Sequence, residues 1–305
     1  TDTKGDRSLA PGQQADPDLY LHIVEERKEG IVVRGAKAHQ TGSLNSHEVL
    51  VMPTGALKEE DKQYAVMFAV PADTEGIIYI YGRQPSDLRS MDDDDGARID
   101  KGNPKYGGQE TLMVFDDVFV PRDRIFMMHE CEFVGPLVER FACYHRMSYG
   151  GCKVGVGDTI IGATASIAEY NGTEKVSHIK EKIVEMTYLN ELMHAAGLSA
   201  ASEAAALPSG AYWVEPTLAN VCKLSVTEMP FRIARLAQDI AGGAMVTIPS
   251  GRDLHNSEVG HLVEKYFKGV EQVPTENRLK ILRYLENVCM GRGALAYLTE
   301  SVHGA

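Results

Sequence analysis

The sequence predicts an α+β protein: an antiparallel β barrel or sandwich over residues 1–128, followed by a four-helix bundle over 129–305. Three observations carry this. The first part holds short β-branched and aromatic runs that end at turn residues. The second part holds four long stretches with partly apolar faces and helix punctuation. The length of 305 residues suits two domains at roughly 150 residues each.

The strands come first. Ile31-Val32-Val33-Arg34-Gly35-Ala36 and Val49-Leu50-Val51-Met52 are β-branched runs closed by turn residues. Tyr64 to Pro71 and Gly76 to Tyr81 repeat the form. Thr111 to Phe115 reads as a strand, and Asp116 to Pro121 as another strand and turn. Their spacing fits antiparallel pairing in a barrel or sandwich. The acidic run Asp92-Asp93-Asp94-Asp95-Gly96 reads as a solvated loop in preference to a cation site.

The helices follow. Val154 to Tyr170 is apolar and rich in Gly and Ala. Lys175 to Leu207 is a second, stopped at Pro208-Ser209-Gly210. Pro216 suits the first turn of a third, which runs to Ala241 and stops at Gly242-Gly243. Thr275 is the expected N-cap of a fourth, running to Ser301. No internal repeat is visible.

Composition narrows the function. Asp+Glu 43 against Lys+Arg 31 gives a net charge of −12, which argues against general nucleic-acid or anionic-membrane binding. It leaves room for a local basic pocket. No apolar run approaches the roughly 18–20 residues of a membrane span, and no signal peptide stands out. Five cysteines do not form a disulfide framework, so a reduced, cytoplasmic setting is expected. Thr1 opens what reads as a mid-protein loop, and Leu298 to Ala305 form no terminal tail. Truncation at both ends is the expectation.

The densest reactive stretch is His129-Glu130-Cys131, Cys143-Tyr144-His145, then Tyr149, Cys152 and Lys153. Thiolate and imidazole suit iron–sulfur or zinc centres, although His145-x6-Cys152 matches no common local zinc pattern. Cysteine is also often buried as a small hydrophobe. Gln238-Asp239-Ile240-Ala241-Gly242-Gly243 places a Gln one turn before a glycine pair, as a ligand contact or a plain helix end. His39-Gln40-Thr41-Gly42 sets polar groups beside a glycine after a strand, and Glu110 adjoins the strand at Thr111.

Thr1-Asp2-Thr3-Lys4-Gly5-Asp6 resembles the flavin-contacting loop of acyl-CoA dehydrogenases, and Gln238 to Gly243 their adenosine-contacting turn. More specifically, the chain resembles the 4-hydroxybutyryl-CoA dehydratase/vinylacetyl-CoA Δ-isomerase family over essentially all of its length. The carrying stretches are Lys37-Ala38-His39-Gln40-Thr41-Gly42-Ser43, His145-Arg146-Met147-Ser148-Tyr149-Gly150-Gly151-Cys152-Lys153, Gly242 to Thr247 and Thr299 to Ala305.

The resemblance implies FAD, a [4Fe–4S] cluster, an acyl-CoA substrate and a homotetramer. It implies radical dehydration of 4-hydroxybutyryl-CoA to crotonyl-CoA. His145 and Cys152 would be two of four cluster ligands, and the other two would come from an N-terminal helical domain that this sequence lacks. Cys131 and Cys143 do not stand at matching positions. The 305-residue piece alone is therefore expected to be inactive. His145 would also accept a proton, Tyr149 and Lys153 would polarise the thioester or hydroxyl, and Glu110 and Glu300 would be acid/base carboxylates. Thr1, Asp2, Lys4, Asp6, Arg7, His39 and Thr41 would contact the flavin, and Gln238, Asp239, Gly242 and Gly243 the adenosine end. The alternatives are a flavin-dependent aromatic hydroxylase of the 4-hydroxyphenylacetate 3-monooxygenase type, which leaves the His145–Cys152 pair without a purpose, and a degenerate subunit that merely assembles.

Overall fold

A computed structural model of the chain describes residues 2–3, 5–82, 110–291, 293–294 and 297–298. The acidic run at Asp92–Asp95 lies outside them, as do Thr1, Lys4 and Glu300. The described chain is α+β, with antiparallel sheets first and helices after.

The strands are β1 His22–Glu26, β2 Gly30–Lys37, β3 Glu48–Val51, β4 Val66–Pro71, β5 Ile77–Tyr81, β6 Thr111–Pro121 and β7 Ile125–Met128. They form one sheet ordered β1-β2-β6-β5 and another ordered β3-β4-β7, all antiparallel. No closed barrel forms among the described residues; two open sheets contribute side chains to one core. Ile31, Val33 and Phe115 from the first sheet join Val51, Phe68 and Val70 from the second. The alternation along β4 explains the packing, since Val66, Phe68 and Val70 are buried while their neighbours are half-buried.

One sequence expectation changes here, and two strands are new. Asp116 to Pro121 is not a separate strand, because β6 runs unbroken through the acidic pair. The cause is a bulge at Asp116-Asp117 opposite Arg34, between the Val33–Val118 and Gly35–Phe115 pairs, with Asp117 at φ +52° and its carboxylate 2.7 Å from Arg34. β1 and β7 had no strong sequence signal; each is short and takes its place by pairing with β2 and β4.

The helices are α1 Cys131–Tyr170, α2 Ser177–Ser202, α3 Pro216–Ala241, α4 Gly251–Leu254, α5 Gly260–Tyr266 and α6 Thr275–Cys289. A small hairpin, β8 Ala205–Ala206 with β9 Tyr212–Trp213, separates α2 from α3. The four longer helices feed one apolar cluster that includes Ile160, Met186, Ile233 and Leu282, each fully buried.

α1 is 40 residues long and starts 23 residues before the expected Val154. Its glycines lower helix propensity, and tertiary packing overrides them. α2 ends at Ser202, and Pro208-Ser209-Gly210 is the hairpin turn, with Gly210 at φ +84°. The bounds of α3 agree with the sequence reading. Pro216 opens it, the Glu215 carboxylate caps the Leu218 amide, and Gly242 closes it at φ +72°. Thr275 is not a cap: the cap is Pro274, and the Thr275 hydroxyl donates to the Glu264 carbonyl at 2.9 Å. α6 ends at Cys289, well short of Ser301.

The chain divides into two compact units. Among described residues, the first runs to Gly82 and from Glu110 to Ala142, and the second starts at Cys143.

Candidate active site

In the second unit, α1 presents His145, Tyr149, Cys152 and Lys153. At about 100° per residue these four positions fall within an arc of about 100° on the helix. His145 and Cys152 are exposed, while Tyr149 and Lys153 lie at the buried edge of the arc, 6% and 3% exposed. The His145 and Tyr149 rings lie 4.9 Å apart at 59°. The Lys153 ammonium sits 5.7 Å from the Tyr149 ring centroid.

α3 closes on the same residues. Lys223 Nζ lies 5.3 Å from the Tyr149 centroid. Asn220, one turn earlier, accepts from the Arg146 guanidinium at 2.6 Å. Burial, followed by the charges of Arg146 and Lys153, pushes the Lys223 ammonium below the usual lysine range. A basic patch therefore forms on an acidic chain. Sequence reasoning missed Lys223 and Asn220, because nothing within 70 residues of Tyr149 marks them. Arg146 stood inside a quoted motif without a role.

His145 and Cys152 are seven residues apart, about two helical turns, and share a face. Their chemistry suits an iron–sulfur centre, but two donors do not complete a four-ligand site. Among the described residues no group of three or more His, Cys, Asp or Glu could hold a metal ion. Cys143 is 3% exposed against Ala200, Val214 and Ala219, and Cys131 is half-buried with its thiol 3.4 Å from the Lys58 carbonyl. Both serve packing.

In the first unit, Thr41 donates to the Glu110 carboxylate at 2.7 Å. Beside them the Gln40 amide donates to the Thr111 carbonyl at 3.0 Å, and the Ser43 and Thr111 hydroxyls lie 2.6 Å apart. His39 is exposed and holds φ +58°, so the loop turns sharply just after β2.

Asp2 behaves differently from its expected role. It is 5% exposed, and its carboxylate is held by the Lys37 ammonium and by Thr54 at 2.5 Å. This side chain is occupied inside the unit, so a carboxylate contact with a cofactor does not fit its placement. Asp6 and Arg7 are exposed, and the Asp6 carboxylate accepts from the Ser8 hydroxyl and amide at 2.7 and 2.9 Å.

At the end of α3, Gln238 is half-buried and its carbonyl accepts from the Gly242 amide. Asp239 pairs with Lys182 at 2.6 Å. Gly242 and Gly243 are exposed, and a Cβ on either would meet nothing within 4 Å among the described residues. That turn is open enough for a flat ligand to approach the backbone.

Two family profiles match the chain: "4-hydroxyphenylacetate 3-hydroxylase N terminal" over residues 1–127 and "4-hydroxyphenylacetate 3-hydroxylase C terminal" over 134–305. The chain belongs to the 4-hydroxyphenylacetate 3-hydroxylase family. Within this family it is 55% identical, over all of its length, to the 4-hydroxybutyryl-CoA dehydratase/vinylacetyl-CoA-Delta-isomerase of Clostridium aminobutyricum. It superposes on an oxygen-tolerant archaeal 4-hydroxybutyryl-CoA dehydratase from N. maritimus with TM-score 0.96 and 54% identity, covering 100% of this chain. The oxygenase component of 4-hydroxyphenylacetate 3-monooxygenase, complexed with FAD and 4-hydroxyphenylacetate, matches at TM-score 0.85 and 25% identity over 99% of this chain and 62% of its own. Glutaryl-coenzyme A dehydrogenase shares the fold, with TM-score 0.57 and 13% identity over 92% of this chain and 60% of its own. The chain spans 64% of the Clostridium relative and 60% of the N. maritimus one.

Proposed function

We propose that this chain is the flavin- and substrate-binding part of an enzyme that dehydrates 4-hydroxybutyryl-CoA to crotonyl-CoA and isomerises vinylacetyl-CoA. The observation that carries this reading is the single face of α1 on which imidazole, phenol, thiol and ammonium meet, in a chain 55% identical to such an enzyme. The hydroxylase reading gives the exposed His145–Cys152 pair nothing to do.

The reaction must remove a hydrogen from C3, which no carbonyl acidifies, after the more acidic C2. When bound, FAD supplies one-electron chemistry and a [4Fe–4S] cluster polarises the leaving hydroxyl. Cys152 and His145 would hold that cluster in part, with the remaining ligands supplied from elsewhere in the whole protein. Tyr149 and Lys153 orient the thioester and favour negative charge on its oxygen. His145, Glu110 and Glu300 are the candidate proton carriers. Thr41 and His39 would line the flavin, with the loop at Asp6 and Arg7, and Gln238 to Gly243 would take its adenosine end. On this reading residues 1–128 form the flavin-contacting domain. Residues 129–305 form an acyl-CoA dehydrogenase-type four-helix bundle that carries the cluster ligands. The assembly is a cytoplasmic homotetramer. No described helix is long and apolar enough to cross a membrane.

The test is the complete protein, purified without oxygen and assayed for flavin, iron and crotonyl-CoA formation. Flavin without iron, together with hydroxylation of a phenol by reduced flavin and oxygen, would replace this reading with the hydroxylase one. Light scattering of the flavin-loaded protein tests the tetramer.

A further inference from the structure

Tyr149 lies beside two ammonium groups. One, Lys153, comes from its own helix at 5.7 Å. The other, Lys223, comes from α3 at 5.3 Å. α3 is fixed against this stretch of α1 by two contacts next to Lys223. Asn220 accepts from Arg146 at 2.6 Å, and the fully buried Cys222 directs its thiol at the Met147 carbonyl at 3.7 Å. Lys223 is therefore delivered to the aromatic ring by helix packing, on a half-buried stem. The Nε of Arg146 adds a buried N–H with no hydrogen-bond partner among the described residues.

Arg146, Lys153 and Lys223 bring positive charge to one part of the second unit, which suits a group that turns negative. The proposed reaction generates one: when the C2–H bond of an acyl thioester breaks, the proton passes to a base and the electron pair moves onto the thioester oxygen. A cation against an aromatic ring also holds the ring in place.

We infer that Lys223 is a positioning residue of this site, which acts through Tyr149 by fixing its ring and adding positive charge beside the oxygen of an acyl-thioester enolate. This rests on the acyl-CoA reading above and adds a residue that the sequence motifs did not include.

The experiment uses the complete holoenzyme and butyryl-CoA, which lacks the leaving hydroxyl, so that only C2 exchange is read. In D2O, deuterium enters C2 by proton loss to the enzyme base and deuteron return from solvent, with no net oxidation. Lys223→Met keeps the stem and removes the charge. It is expected to slow exchange about tenfold with little change in the concentration dependence, and Lys223→Arg is expected to restore most of the rate. Tyr149→Phe combined with Lys223→Met should exchange more slowly than Tyr149→Phe alone by clearly less than the factor that Lys223→Met costs by itself, since the ring-holding part of its effect passes through Tyr149. Flavin content and thermal unfolding are measured on each variant. Wild-type exchange that Lys223→Met leaves unchanged overturns the inference alone, as does a fully additive double variant. If Lys223→Met misfolds, an exchange rate for Lys223→Arg as low as that of Tyr149→Phe overturns it too. No C2 exchange in the wild type overturns the acyl-CoA reading, and the inference with it.

Discussion

Gly150 of α1 and Gly197 of α2 meet backbone to backbone. A Cβ on Gly197 would lie 2.9 Å from Gly150 Cα, and one on Gly150 would lie 2.8 Å from Gly197 Cα. This contact sits immediately after Tyr149, and His194 adds a ring nitrogen 3.4 Å from the Gly150 carbonyl. The two helices pack this closely because neither has a side chain at the crossing. Gly197→Ala is expected to destabilise the protein by about 1–3 kcal/mol through overpacking. Urea unfolding measures it. A variant as stable as wild type would show that the crossing has slack.

The Asp2–Lys37 pair sets a pH-dependent contribution in the first unit. Burial alone would raise the Asp2 carboxyl, but the Lys37 charge and the hydrogen bonds from Lys37 and Thr54 pull it below the usual carboxylate range. Its contribution to stability is therefore present above the unfolded value of about 3.9 and is lost as pH falls through the folded one. Lys37→Met leaves a buried carboxylate without its cation and should cost about 3–5 kcal/mol at neutral pH. Adding Asp2→Asn should recover most of the loss and flatten the acid limb of the unfolding profile. Equal acid sensitivity in wild type and double variant would assign the limb to other groups.

Thiol accessibility separates ligand from packing. Cys152 is exposed, whereas Cys143, Cys222 and Cys289 are buried, and burial pushes the Cys289 thiol up to about 12. In cluster-free protein at pH 8, iodoacetamide should modify Cys152 ahead of the buried three, as read by peptide mass spectrometry. After anaerobic iron–sulfur reconstitution of the complete protein, Cys152 should become protected. Labelling unaffected by reconstitution would remove Cys152 from the ligand set.

The Thr41–Glu110 hydrogen bond predicts separable effects on binding and turnover. Thr41→Val removes the donor and should weaken flavin affinity about tenfold, measured by fluorescence titration. Glu110→Gln preserves the shape and removes the ionisable proton, so turnover should fall by roughly 100-fold at constant flavin content. Unchanged turnover would make Glu110 a partner of the loop only.

Glu300 lies outside the described residues, and its test is functional. Glu300→Gln in the complete protein should leave flavin and iron in place while turnover falls by roughly 100-fold or more. His145→Ala and Cys152→Ala should abolish dehydration with FAD retained. Full activity in Glu300→Gln would exclude it as an acid or base.

Strong local signals made part of this molecule legible in its sequence. Proline fixes φ and glycine permits a left-handed turn, so Pro216 and Gly242 marked both ends of α3 with no knowledge of its neighbours. β-branched runs marked β2 to β5, but the sequence expectation began the helix at Val154, so only the longer α1 puts His145 and Cys152 on one face. Tertiary structure decided what local propensity opposed. α1 runs through a glycine-rich segment that lies against α2, Asp116-Asp117 stays within β6 because a bulge and Arg34 accommodate it, and Pro208–Gly210 turns a hairpin. It also put Lys223 on Tyr149 across 74 residues and buried Asp2 on Lys37 across 35. Such pairings depend on side chains that meet only after the helices and sheets have packed, so no short-range pattern encodes them.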